Sequence, residues 1–108
     1  MPICGPALLQ HNPATLLRLL VLAPVLEEFL IRAGLQEWLG RGYRAGALAA
    51  LAFAALHLPQ GWVAAAWTLP MGIVLSGLYA RRRRWQECAL VHAACNGAAL
   101  AGCAWISF

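Results

Sequence analysis

Lysine is absent from this 108-residue chain, only 11% of its residues are charged, and four acids stand against eight arginines. An ordinary soluble domain carries about 25% charged residues, and here 62% are hydrophobic with a mean hydropathy of +0.67, which disfavours a water-soluble globule. Nucleic-acid binding is disfavoured too, because the net charge of +4 includes one run, Arg81 to Arg84, flanked by apolar stretches. The four cysteines, Cys4, Cys88, Cys95 and Cys103, show no CxxC spacing and so imply neither a disulfide framework nor a zinc finger. The start, Met1-Pro2-Ile3-Cys4, lacks the basic region and cleavage site of a secretory signal, so the first apolar stretch is expected to stay in the mature protein. No lipidation motif accompanies it.

What is present is apolar sequence in helix-length blocks. At about 20 apolar residues per crossing, the chain has room for about four transmembrane helices. The expected fold is all-α, a polytopic membrane helix bundle forming a single intramembrane domain over residues 1–108. The helices are expected at residues 13–39, 45–58, 62–80 and 85–108. Asn12 and Pro13 supply a cap and a first helical position, Gly40 and Gly42 a stop, and Pro70 a kink in the third helix. Trp85 and Trp105 stand where interfacial anchors would. Arg41 and Arg44 in the first loop and Arg81 to Arg84 in the third place both loops on the cytoplasmic side. The absence of lysine and the abundance of Ala, Gly and Arg suggest a GC-rich bacterial gene, hence a multi-pass protein of the bacterial inner membrane.

Ionisable residues inside a bilayer cost at least a few kcal/mol each and usually serve a function. Here the first helix holds Glu27, Glu28 and Arg32, the second ends in Phe53-Ala-Ala-Leu-His57, and the fourth holds His92-Ala-Ala-Cys-Asn96. Residues four apart share a helix face, so Glu28 faces Arg32, Phe53 faces His57, and His92 faces Asn96. Counted from the nearest loop arginine at 1.5 Å per residue, Glu27, Glu28, His57 and Asn96 lie about 18–21 Å deep, in one layer, and His92 about 12 Å deep. Such a layer suits hydrolysis. Glu28 pairs with Arg32, leaving Glu27 as general base toward a water positioned by His57. His92 and Asn96 are candidate donors to the oxyanion formed on a peptide carbonyl. Phe53 has no polar group to offer and reads as packing.

The series Glu27-Glu28-x-x-x-Arg32, Phe53-x-x-x-His57 and His92-x-x-x-Asn96 resembles the signature of the CPBP family, the CAAX proteases and bacteriocin-processing enzymes also called Abi, which are glutamic-type intramembrane proteases. All three motifs stand in family order. The resemblance implies water activation by Glu27 with His57, support from Glu28 and Arg32, and oxyanion stabilisation by His92 and Asn96. It also implies a substrate that is a membrane-anchored or lipidated protein or peptide cut near its C-terminus, and in some compact bacterial members the removal of C-terminal sorting tails. Family members commonly have more helices, which self-association into a homo-oligomer could replace. No cofactor is needed for this chemistry. Zinc held by His57, His92 and Glu27 or Glu28 is the alternative, weakened by the lack of HExxH. Outside proteolysis, the length and one membrane glutamate also suit a four-helix proton-coupled exporter using Glu27, and a non-catalytic scaffold or immunity protein would keep the same fold.

Overall fold

The computed structural model of the chain describes residues 12–106, with side chains as far as residue 102, and these residues form no strand. Cys4, the chain start, and the side chains of Cys103 and Trp105 lie outside the described residues. Asn12 opens the first helix by accepting a bond from the Thr15 amide at 2.8 Å, and Pro13 follows at a position where its missing N–H is not needed.

This helix, α1, is continuous over residues 13–39 but changes winding twice. Two segments, Arg18–Leu22 and Phe29–Gln36, are π-helical, with the Ala23 amide bonding to the Arg18 carbonyl and the Glu37 amide to the Arg32 carbonyl, each five residues back. Such wide turns gather at functional sites, and here the second carries Arg32 and Gln36 inward. Gly40, at φ +118°, ends the helix in a conformation that disfavours L side chains.

Helix α2 (Tyr43–Ala55) starts two residues before the expected position, from an extended Gly42, and stops three before it. The early stop stands beside Pro59, which has no N–H to carry the helical ladder onward; Leu58–Gln60 forms a 3-10 turn instead, leaving His57 just past the helix end. Helix α3 (Trp62–Arg82) runs through Pro70 and on into the arginine run, until Arg83 turns the chain at φ +53°. Among the described residues it alone is long and apolar enough to cross a membrane. Helix α4 (Trp85–Ile106) follows.

The helices pack inside out relative to a soluble protein. Leu26, Phe29, Leu30, Leu51, Ile73, Val74 and Leu90 are exposed, whereas Glu28, Arg32, Gln36, Ser76 and His92 are buried. An apolar exterior of this kind suits lipid, and the polar groups are satisfied in the interior. Helices α2 and α3 approach closely because the contact is made by small residues: a Cβ on Gly72 would stand 3.0 Å from Phe53 Cδ2 and 3.3 Å from the Ala50 backbone. Phe53, with Ile31, Ala49, Leu75, Tyr79 and Cys88, forms the core beneath the polar groups.

Candidate active site

Four side chains converge from three helices. Glu27 and Glu28 come from α1, His57 from the end of α2 and His92 from α4. Glu28 is fully buried and divides its two oxygens: Oε1 accepts from Arg32 Nε at 2.8 Å, and Oε2 meets His92 Nδ1 at 2.7 Å. Because Glu28 already holds the Arg32 cation, it stands as a carboxylate and His92 Nδ1–H is the donor. His57 Nδ1 lies 2.8 Å from the Phe53 carbonyl, an acceptor only, so this ring nitrogen also carries its hydrogen.

Both rings therefore turn Nε2 toward the same atom. Glu27 Oε1 is 3.6 Å from His57 Nε2 and 3.7 Å from His92 Nε2, and it is buried without a hydrogen-bond partner. Polar atoms at such separations are bridged well by a third polar atom placed beside them. Phe53 forms the floor: its ring centroid is 5.1 Å from that of His57 and 5.3 Å from that of His92, and Arg32 Cζ lies 5.4 Å from it. It is a packing residue, and what it packs is the two imidazoles and the guanidinium.

Asn96 is engaged elsewhere. Its Nδ2 donates to the Leu19 carbonyl at 2.7 Å, within the first wide turn of α1, so α4 is tied to α1 both by Asn96 and, one turn earlier, by His92. Among the described residues no group of three His, Cys, Asp or Glu side chains is spaced as metal ligands.

Two groups escaped the sequence reading. Gln36 Oε1 and Ser76 Oγ both accept from Arg32 Nη1, at 3.2 and 2.6 Å, while Gly72 O accepts from Nη2 at 3.3 Å. Gln36 Nε2 also donates to the Ser76 carbonyl at 3.1 Å. The four-residue spacing that joins Glu28 to Arg32 continues to Gln36, which was a usable signal; Ser76, 44 residues from Arg32, gave none. At the arginine-rich end, Tyr79 donates to Glu37 Oε2 at 2.7 Å, and Arg83 Nη2 reaches the same oxygen at 2.6 Å, fastening the end of α1 to the turn between α3 and α4.

No curated protein and no solved structure matches the chain. A family model does: that of the type II CAAX prenyl endopeptidases, Rce1-like, matches residues 9–98 and so takes in every side chain of the cluster.

Proposed function

The chain belongs to the Rce1-like type II CAAX prenyl endopeptidase family, which makes it a membrane-embedded peptidase, and we propose that it hydrolyses its substrate by a glutamic mechanism centred on Glu27. The observation that carries this reading is the unpartnered Glu27 Oε1 facing two imidazole Nε2 atoms.

A water beside Glu27 Oε1 donates one hydrogen to that oxygen and the other to His57 Nε2, which is an acceptor because Nδ1–H is given to Phe53 O. Glu27 takes the proton as the water oxygen attacks the peptide carbonyl, and returns it to the departing amine. His92 Nε2 faces Glu27 from the other side and, when protonated, donates to the oxyanion. Asn96 is assigned to the same oxyanion; its amide must exchange the Leu19 carbonyl for the substrate oxygen when a carbonyl enters. No step requires a cofactor.

The proposed substrate is a membrane-anchored or lipidated protein or peptide cut near its C-terminus, with sorting tails as one class. The proposed location is the bacterial inner membrane, with several crossings and both arginine-bearing connections at the cytoplasmic face, because Arg41 and Arg44 stand in and beside the first connection and Arg81 to Arg84 at the turn between α3 and α4. The test is cleavage in liposomes of a panel of prenylated and tail-anchored peptides. Wild type is expected to cut, and Glu27→Gln and His57→Ala to be inactive though folded. Equal cleavage by all three would overturn the mechanism, and loss of wild-type activity with a chelator, restored by zinc, would replace it with a metal-dependent one.

A further inference from the structure

Helix α3 brings none of the four converging side chains, yet it is bonded to them through one continuous polar chain. Ser76 Oγ and Gln36 Oε1 hold Arg32 Nη1, Arg32 Nε holds Glu28 Oε1, and Glu28 Oε2 holds His92 Nδ1. Ser76, Gln36, Arg32, Glu28 and His92 are all buried. Each link has one fixed donor direction, since a guanidinium can only donate and an ionised carboxylate can only accept.

Resting on the glutamic reading above, we propose that Ser76 and Gln36 are positioning residues for the hydrolysis, acting through Arg32 and Glu28 on the orientation of His92. The geometry of the guanidinium makes this specific. Its planar fork is fixed at Nη1 by Ser76 and Gln36 and at Nη2 by the Gly72 carbonyl, so Nε–H has one direction in which to present its hydrogen, and Glu28 lies there at 2.8 Å. Gln36 is itself held by its bond to the Ser76 carbonyl, so the fork is registered to the α3 backbone as well as to a hydroxyl. With Oε1 fixed in this way, Glu28 can rotate little, and Oε2 holds the His92 ring with Nε2 toward Glu27. Loosening the Ser76 end lets the fork tilt, and the tilt reaches the imidazole two bonds later. A small misplacement of a reacting group is enough to lower the rate without weakening substrate binding.

The test has a first arm that needs no substrate. In detergent-solubilised protein labelled with 15N-histidine, Ser76→Ala and Gln36→Leu are expected to move the His92 Nδ1 resonance and leave that of His57, whose Nδ1 partner is the Phe53 carbonyl. Unmoved His92, or equal movement of both rings, would overturn the proposal whatever the enzyme cleaves. The second arm measures turnover on whichever peptide the wild type cuts: each variant is expected to lower kcat about tenfold at unchanged KM. On a Glu28→Gln background Ser76→Ala is expected to add nothing, because its path is already broken. A further tenfold loss on that background would mean a general packing role and overturn the positioning one. Should Ser76→Ala fail to fold, Ser76→Cys and Gln36→Leu carry both arms. A wild type that cuts no peptide would sink the proposed function alone, since the resonance arm stands without it.

Discussion

Glu28 Oε2 and His92 Nδ1 lie 2.7 Å apart across 64 residues of sequence, and neither residue is open to solvent. The contact joins two sequence motifs that each look complete on its own helix. It turns Glu28 from a partner of Arg32 alone into the link between a buried cation and a ring that faces Glu27. The two adjacent glutamates thus differ in work: Glu28 is saturated, Glu27 has an oxygen to spare.

That division predicts opposite phenotypes. Glu27→Gln removes no hydrogen bond, so the thermal midpoint in detergent should stay within a few degrees while turnover falls by about 100-fold or more, the usual worth of a general base. A variant that melts early, or one that still turns over, would contradict the assignment.

Glu28→Ala should be the unstable one. It strands a fully buried Arg32 guanidinium, and breaking a buried pair from one side costs about 3–5 kcal/mol. Adding Arg32→Met should recover most of that loss, because the double variant buries no orphan charge. Unfolding in a mixed-detergent titration measures both, and a double variant no more stable than the single would refute the pairing argument.

Two glycines of α3 make a matched pair. Gly72→Ala would place a methyl group 3.0 Å from the Phe53 ring and 3.3 Å from the Ala50 backbone, an overpacking that costs about 1–3 kcal/mol and disturbs the site floor. A Cβ on Gly77 meets nothing within 4 Å, so Gly77→Ala should stabilise by about 0.5–1 kcal/mol through the helix preference of alanine. Melting of the two variants side by side is the measurement.

Phe53→Leu keeps an apolar side chain but removes the ring that both imidazoles rest against. Each such aromatic contact contributes about 0.5–1.5 kcal/mol, so the protein should remain folded at reduced stability. Turnover should fall through kcat, with KM nearly unchanged, because the ring positions His57 and His92 and binds no substrate. A change in KM alone would place Phe53 in the substrate path.

The sequence by itself determined the all-helical character, because its apolar runs are of helix length and a helix satisfies its own backbone within each run. It also carried the pair Glu28 with Arg32, four residues apart within α1, since local helix geometry alone brings them together. The end of α2 was less legible: the apolar run continues to Leu58, but Pro59 has no N–H to extend the helical ladder, and His57 falls just past the helix end. Only the tertiary structure decided which partner each polar group takes across helices. That Asn96 bonds to Leu19, that Ser76 closes the far side of Arg32, and that His92 answers to Glu28 all depend on how the helices are rotated and shifted against one another. Small contacts such as Gly72 against Ala50 fix that arrangement, and no spacing along the chain encodes it.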